Sequence, residues 1–474
     1  MTALALTGCT SNDPPTPGGS SSGAAHPRTA APKDRDETAV LAALRRLDLC
    51  AVLRSAATTA PAAQPRARDP FSCGMAGSPG ASVSISQIGT DERLKLPVRA
   101  IGDAKAYVDY ATRDTCLAYF PVSFELALKF DVDRVKGDCG PAINGFLAAA
   151  ATTLTGSAAL TATPQWDACG ALAEALGDDA DPRALTWAGT GVGAACERWE
   201  PSVAHLEFGY RNPLIGATRT ETVGGVQVRV QEDDSTGRTV CWTAWQAGPA
   251  GSPELWAGVA AEDCGKAATL AKSVMTVLES PPPDVAPQRP LLYGADEADS
   301  PYLGACGNLE RQIARHCQPF VEMSVPNGRT AILRAAETDV DVHCAVALDA
   351  IRKHFGAQLV PVTVDDGEVS SCYFVEPERQ VRIQFRIGAD PVHGVADVFT
   401  VRDAEFAGHP GYVENSPDRQ AYRVWVGVSG DPADDGLLSL TVDGGPASRG
   451  AGPPADTAAK VERVITGILA RYFS

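Results

Sequence analysis

The side chains with the clearest capacity for chemistry in this 474-residue chain are its 13 cysteines. Cys9 stands apart near the first residue, and the other twelve are an even number, as a disulfide framework requires. Cytosolic proteins rarely carry so many cysteines outside metal and redox sites. The count therefore predicts an oxidising compartment outside the cytoplasm.

Eight of these cysteines form two quartets with similar spacing. The gaps are 23, 43 and 23 residues in the first quartet and 27, 45 and 23 in the second. The members are Cys50, Cys73, Cys116 and Cys139, and Cys169, Cys196, Cys241 and Cys264. The sequences around the first cysteines, LDLCAVL and WDACGAL, also match. Agreement in three spacings and in local sequence indicates an internal duplication.

A third copy keeps only half of the quartet. Cys344 and Cys372 are 28 residues apart and match the first two positions, whereas Ala421 stands at the third and Thr457 near the fourth. Losing two cysteines together leaves no orphan thiol only if the first pairs with the second and the third with the fourth. The pattern predicts these bridges: Cys50–Cys73, Cys116–Cys139, Cys169–Cys196, Cys241–Cys264 and Cys344–Cys372.

The remaining cysteines, Cys306 and Cys317, leave the pairing of the third copy open. Residues 308–316 resemble a helix, and eleven helical residues would hold the pair about 16 Å apart, beyond the reach of a disulfide. Either that helix is short and broken, or Cys317 pairs with Cys344 and Cys306 with Cys372. The second arrangement would use a hairpin of residues 322–325 and 330–333 around Pro-Asn-Gly-Arg, a strong turn signal.

Cys9 belongs to a different motif. Leu6-Thr7-Gly8-Cys9 has the pattern of a bacterial lipobox, in which the cysteine carries a diacylglycerol whose two acyl chains anchor the protein stably. Residues 1–9 lack a basic n-region and a full apolar segment, so we expect the true signal peptide to begin upstream. Residues 10–37 are rich in Pro, Gly, Ser and Ala and are expected to form a flexible tether.

Composition excludes several functional classes. Asp and Glu number 58 against 41 Lys and Arg, and the resulting formal charge of −17 opposes binding to nucleic acid or to anionic lipid through a basic patch. No stretch of about 18 uncharged apolar residues is present, which argues against a transmembrane helix. Hydrophobic residues make up 44% of the chain, enough to build buried cores.

The elements that must position the cysteines repeat as well. Copies of helix, several strands and helix predict module 1 at 38–155, module 2 at 165–280 and module 3, with an N-terminal extension, at 300–474. The proline-rich segment 281–299 is expected to be an irregular linker. Strands are predicted at 82–88 and 123–130, and hairpins at 239–246 with 254–260 and 423–428 with 437–442. The predicted fold class is α+β, with tandem disulfide-stapled modules that each contain an antiparallel sheet and flanking helices.

These motifs resemble a known family. A helix with D-x-C-x-x-L, a cysteine near an aromatic residue and a C-x-x-A helix are similar to secreted domains of actinobacterial lipoproteins of unknown function, and to extracytoplasmic sensor domains of actinobacterial Ser/Thr kinases. The matching residues are Asp48, Cys50 and Leu53; Asp167, Cys169 and Leu172; Cys196 and Trp199; Cys241 and Trp242; and Cys264 and Ala267. The resemblance implies extracytoplasmic binding or sensing and supplies no catalytic residues.

No catalytic or cofactor motif is recognisable in the sequence, so we predict no enzyme activity, no cofactor and no metal. His316-Cys317 and His343-Cys344 have a spacing that matches no zinc finger. Six of the seven tryptophans lie in module 2, and Trp245 and Trp256 are candidate ligand contacts. Trp242 and Trp245 should face opposite sides of one strand, which places one of them outside the core.

The sequence therefore predicts a non-enzymatic lipoprotein that is anchored through Cys9 on the extracytoplasmic face of the cell membrane. It would bind or sense a small ligand or an envelope protein, without nucleic acid. A scaffold for envelope interactions that has no small ligand is the alternative, and a cell-wall hydrolase with unrecognised residues is a third hypothesis.

Overall fold

The computed structural model describes residues 30–57, 64–76, 80–109, 115–134, 139–156, 160–161, 163–177, 181, 184–188, 192–214, 218–233, 239–248, 255–367, 370–388, 395, 401–416, 421–428, 436–445 and 453–474. Cys9 and most of the predicted tether lie outside these residues. Residues 31–474 form one compact unit.

Three antiparallel sheets, one in each module, make up the β structure. Module 1 contains β1 Arg66–Asp69, β2 Ser72–Met75, β3 Ala81–Gln87, β4 Val98–Ile101, β5 Ala104–Asp109, β6 Thr115–Pro121 and β7 Leu126–Asp133. Module 2 contains β8 Thr186–Trp187, β9 Ala195–Arg198, β10 Ala204–Gly209, β11 Arg219–Val223, β12 Val226–Asp233, β13 Val240–Gln246 and β14 Trp256–Ala261. Module 3 contains β15 Cys317–Pro319, β16 Val360–Asp365, β17 Ser370–Val375, β18 Val381–Gly388, β19 Arg402–Phe406, β20 His409–Ser416, β21 Ala421–Gly427 and β22 Leu437–Gly444.

The three sheets share one strand order, which confirms the α+β prediction. The orders are β1-β2-β3-β7-β6-β5-β4, β8-β9-β10-β14-β13-β12-β11 and, after the additional edge strand β15, β16-β17-β18-β22-β21-β20-β19. The first and second cysteine positions of each copy therefore fall on corresponding elements, and the third module follows the same plan without its second bridge.

Helices cover one face of each sheet. They are α1 Glu37–Leu44, α2 Leu49–Ala56, α3 Thr90–Leu94, α4 Pro141–Thr155, α5 Ala168–Leu176, α6 Cys264–Leu278, α7 Arg311–Ala314, α8 Arg329–Ala336, α9 Asp341–Phe355 and α10 Thr457–Ile468. A 3-10 helix, Gly304–Asn308, precedes α7, and a π turn, Leu469–Phe473, extends α10. In each module the helix that carries the first cysteine packs against the C-terminal helix: α2 on α4, α5 on α6 and α9 on α10.

The D-x-C-x-x-L motif is the start of a helix. The Asp48 carboxylate accepts a hydrogen bond of 2.9 Å from the Ala51 amide, and Asp167 accepts one of 2.8 Å from Gly170. Each aspartate thus caps its helix and satisfies an amide that would otherwise lack a partner. Leu53, five residues after its cap, is fully buried in the core. The motif therefore orients a helix and its cysteine against the sheet.

The described residues contain the five predicted disulfides and a sixth, Cys306–Cys317, whose pairing the sequence left open. They are Cys50–Cys73, Cys116–Cys139, Cys169–Cys196, Cys241–Cys264, Cys306–Cys317 and Cys344–Cys372. The expected helix at 308–316 is broken, because Leu309 adopts an extended conformation between the 3-10 helix and α7. This break brings the Cα atoms of Cys306 and Cys317 to 5.6 Å. A framework of this size places the protein in an oxidising compartment outside the cytoplasm.

Two local predictions are wrong. The hairpin expected at 322–325 and 330–333 is absent, and α8 begins directly after Gly328, whose φ is 87°. A glycine with positive φ suits a hairpin turn and also suits the residue just before a helix. The dipeptide Asn327-Gly328 alone therefore does not distinguish a hairpin from a helix start. The strand expected at 123–130 begins only at Leu126, because the Ser123 hydroxyl accepts bonds from the amides of Glu125 and Leu126 and holds a turn.

The end of the predicted tether is anchored instead of free. The Arg35 guanidinium lies 3.8 Å from the centroid of the Tyr293 ring and pairs with Glu297 at 3.0 Å. Asp34 accepts a hydrogen bond of 3.1 Å from the Tyr293 hydroxyl. The first helix, α1, begins at Glu37. The flexible-tether prediction is therefore wrong for residues 34–37.

The linker between modules 2 and 3 returns to module 1. It contains no helix or strand within 281–299, as predicted, but Leu291 and Leu292 are buried in the module 1 core. The Lys105 amide donates a 2.9 Å hydrogen bond to the carbonyl of Tyr293. The linker is thus a packed strap that holds module 3 beside module 1.

A buried charge cluster completes this junction. Asp299, which is 4% exposed, accepts hydrogen bonds from Arg93 at 3.1 Å, Lys105 at 2.8 Å and Tyr107 at 2.9 Å. Burial, followed by the negative charge of Asp299, raises the pKa of Tyr107 far above its ordinary value. From module 3, Arg379 donates to the carbonyl of Arg93 and lies over the Tyr107 ring. Burial lowers the pKa of Arg379. The cluster joins module 1, the strap and module 3.

Candidate functional site

A polar groove of about 520 Å³ lies on the face of the module 1 sheet opposite α2 and α4. Its floor includes Ser72 on β2 and Ser82 and Ser84 on β3. Strand alternation explains this placement, because Val83 and Ile85 point into the core while the serines between them point outward. Small side chains on the floor leave the space in which a ligand could lie.

Strand register arranges the groove in cross-strand rows. Ser72 lies opposite Ser84, Ser84 opposite Lys129, and Lys129 opposite Tyr119 on β6. Directly opposed residues on one face of an antiparallel sheet have neighbouring side chains. Two hydroxyl groups, one ammonium group and one phenol therefore follow one another across four strands.

Several of these groups are available to a ligand. The Ser82, Ser84 and Tyr119 hydroxyls make no hydrogen bond to any residue that the structure describes. Burial raises the pKa of Tyr119, which keeps its phenol in the neutral, donating form. A half-buried hydroxyl that has no protein partner can bond to a ligand without first losing a protein hydrogen bond.

Longer side chains form the walls of the groove. Lys129 and Asp131 are an ion pair at 3.1 Å, with both side chains about one-third exposed. Trp187 comes from module 2 and lies at the rim, where it also packs against the module 1 core. Together with Tyr119 it provides two aromatic surfaces beside a hydroxyl-lined floor. Binding pockets commonly combine such aromatic walls with a few placed polar groups.

The other two modules have no equivalent floor. The residues at the positions of Ser82 and Ser84 are His205 and Glu207 on β10, and Gln384 and Arg386 on β18, as the register beside Cys73, Cys196 and Cys372 shows. In modules 2 and 3, larger side chains therefore stand where module 1 has its two serines. Within one shared topology, the groove therefore depends on side-chain size at two positions of one strand.

A loop of module 2 closes one side of the groove. The Val192 amide donates a 3.2 Å hydrogen bond to the carbonyl of Ile85, next to the point where β2 begins. The next residue, Gly193, has a φ of 92°, and a Cβ atom there would lie 2.6 Å from the Phe71 ring. Both the conformation and the contact require glycine. The groove thus belongs to a fixed junction of modules 1 and 2.

The carboxylates beside the groove are already engaged. Asp131 pairs with Lys129, and Glu92 accepts a 3.3 Å bond from the Gly89 amide at the start of α3. Asp69 accepts bonds from the Phe71 amide and the Ser72 hydroxyl. These carboxylates hold local structure, which favours ligand binding over acid–base chemistry at this site.

The structure places the two candidate ligand contacts, Trp245 and Trp256, in different surroundings. Trp245 is 3% exposed and belongs to the core of module 2, so the prediction of a ligand contact there is wrong. Trp242, three positions earlier and on the opposite face of β13, is half-buried and stacks edge-on against His205. Trp256 is half-buried beneath Arg229 and lies outside the groove.

The remaining candidates do not meet at a site. Cys317 and Cys344 are in disulfides and have no free thiol for zinc, while His343 is buried and accepts a 2.9 Å hydrogen bond from the Ile387 amide. Among the residues that the structure describes, no group of three His, Cys, Asp or Glu side chains is placed to hold a metal ion. In that same part of the chain, no helix has the length and apolar character needed to cross a membrane.

Sequence reasoning missed the groove because its floor residues are serines without a motif. The alternation of 81–87 was visible, but which strands would flank it, and which module 2 loop would close it, were not. Comparison with known proteins adds no guide to function, since no family model, curated protein or solved structure matches this chain.

Proposed function

We propose that this protein is a non-enzymatic, cell-surface lipoprotein that binds a hydroxyl-rich ligand, such as an oligosaccharide, in the module 1 groove. The observation that supports this most is the unpartnered set of hydroxyls of Ser82, Ser84 and Tyr119 on a floor of small side chains, with Trp187 at the rim. Sugars offer many hydroxyls for such groups and apolar ring faces for aromatic side chains.

The first test is a glycan array probed with the purified residues 31–474. A matched pair of variants exchanges residues between equivalent positions of modules 1 and 2. Ser82→His with Ser84→Glu introduces the residues that module 2 carries at the same positions, and His205→Ser with Glu207→Ser makes the opposite exchange in module 2. Both exchanges replace outward-facing residues at equivalent positions of the same sheet topology, so both variants should fold.

We expect wild type and the module 2 variant to bind the same glycans and the module 1 variant to lose binding at least tenfold. Equal binding by both variants would exclude the groove. Absence of binding to every glycan on the array would overturn the proposed ligand class and favour an interaction scaffold.

Surface attachment is a second part of the proposal and rests on Leu6-Thr7-Gly8-Cys9. The gene, expressed in a bacterial host with its upstream sequence, should incorporate an alkyne-labelled fatty acid and sediment with membranes. Cys9→Ala should lose both the label and sedimentation. A Cys9→Ala protein that remains labelled and membrane-bound would refute the anchor.

A further inference from the structure

A second cavity, of about 960 Å³, lies beside the groove at the junction of modules 1 and 2. Arg66 and Arg68 line it from β1, and Tyr210 and Arg211 line it from the residues that follow β10. Arg66 lies opposite Gly74, and a β-bulge between Ala67 and Asp69 places the Arg68 side chain over the same glycine. Three arginines from two modules thus line one space.

Backbone contacts place these arginines. The Tyr210 amide donates a 3.4 Å hydrogen bond to the carbonyl of Arg68, which brings Arg211 beside β1. Arg68 lies over Gly74, whose Cβ atom, if present, would be 2.8 Å from the Arg68 guanidinium. Gly74 lies opposite Ser82 of the groove floor, so Arg68 lines both cavities.

The cavity is basic, whereas the chain as a whole is acidic. The whole sequence has 58 acidic residues against 41 basic ones, yet no carboxylate lines the cavity among the residues described. Within the same described part of the protein, Arg66, Arg68 and Arg211 make no ion pair or side-chain hydrogen bond. Guanidinium groups match the geometry of carboxylate and phosphate oxygens and form paired hydrogen bonds with them. These arginines are therefore available to an anionic group of a ligand.

We propose that the arginine cavity binds the carboxylate or phosphate group of a ligand whose hydroxyl-rich part lies in the adjoining groove. The ligand class is then an acidic or phosphorylated saccharide. This inference rests on the proposed function for the sugar part, whereas the anion site itself stands on the three arginines. The shared Arg68 makes the two cavities one continuous binding surface.

Tripolyphosphate tests the anion site independently of any sugar. Isothermal titration at low salt should show binding to wild type that weakens as salt rises, because screening acts on exposed charges. Arg66→Gln with Arg211→Gln should weaken binding at least tenfold. Arg352→Gln, which replaces an exposed arginine of α9 in module 3, is the matched control and should bind as wild type does. No binding to wild type, or equal binding by both variants, would overturn the anion site and leave the groove proposal standing.

The ligand class is tested on array pairs that differ only in charge, namely each uronic acid against its neutral hexose and each phosphorylated glycan against its unphosphorylated form. We expect wild type to prefer the anionic member at least tenfold, and Arg66→Gln with Arg211→Gln to bind both members equally. Equal binding of both members by wild type would overturn the acidic-saccharide inference while supporting the groove. Absence of binding to either member would overturn the proposed function instead.

Discussion

Module 3 lacks a bridge that the other modules have, and the structure predicts that it can be restored. By strand register, Tyr422 on β21, opposite Val442, is equivalent to Cys116, opposite Val132, and to Cys241, opposite Ala261. The third cysteine position predicted at Ala421 is therefore wrong by one residue. Thr457 is the first residue of α10, as Cys264 is of α6. Tyr422 packs against the module 3 core, and Thr457 is buried with a hydroxyl that makes no hydrogen bond within the described residues. The corresponding Cα atoms are 5.7 Å apart in module 1 and 5.0 Å apart in module 2. Tyr422→Cys with Thr457→Cys should therefore oxidise to a seventh disulfide.

The expected gain in stability follows from the loop that this bridge closes. A cross-link between positions 422 and 457 constrains a loop of 35 residues in the unfolded chain. Loop-closure entropy for this length corresponds to roughly 3–4 kcal/mol, provided that the native geometry accepts the bridge without distortion. The gain acts on module 3, because both ends of the loop belong to it.

Peptide mapping under non-reducing conditions should identify a fragment that links the two new cysteines. Hydrogen exchange of β21 and α10 peptides in increasing urea should then show the added stability. Tyr422→Ser with Thr457→Ser is the matched control, since serine is similar in size to cysteine and cannot form a bridge. Two free thiols that alkylate readily in the folded cysteine variant would refute the reasoning that module 3 repeats the geometry of modules 1 and 2.

Two further predictions concern buried charge. Asp299→Asn should leave Arg93 and Lys105 without their anion and lower the free energy of unfolding by about 3–5 kcal/mol in urea titrations; a loss below 1 kcal/mol would contradict the joining role of this carboxylate. Burial lowers the pKa of His343 from 6.5 to about 4. Below pH 6.5 only the unfolded state takes up this proton, so stability should fall by about 3 kcal/mol between pH 6.5 and 4. His343→Asn, which can still accept the Ile387 bond, should show less of this loss in urea titrations at the two pH values, and an unchanged loss would contradict the assignment.

The cysteine pattern predicted much of the fold. A disulfide requires two positions to lie close together, and the repeated spacing indicates which positions pair. The loss of two cysteines together in module 3 favoured first-to-second and third-to-fourth pairing in modules 1 and 2 but left the pairing of Cys306, Cys317, Cys344 and Cys372 open. Features that depend on local conformation were less predictable. Pro-Asn-Gly before Arg329 suits both a hairpin and a helix start, and only the packing of α8 against the module 3 core decides between them.

The candidate site was less predictable than the fold, for a physical reason. Aromatic residues attracted attention in the sequence, yet Trp245 packs the core and Trp187 reaches a different module. Ser82 and Ser84 matter because their neighbours on β2 and β7 are either glycine or polar and because the groove lies above them. Neither condition can be derived from a single strand, since both depend on sheet order and on the contact between modules.

The most direct test of the groove proposal is a fluorescence titration that locates the ligand. The glycan that binds best on the array should change the tryptophan emission of wild type, and Trp187→Phe should abolish this change. Trp199→Phe replaces a module 2 tryptophan that is 51% exposed and outside the groove, and it should leave the change intact. An unchanged response in Trp187→Phe, or its loss in Trp199→Phe, would contradict the placement of the ligand in the module 1 groove.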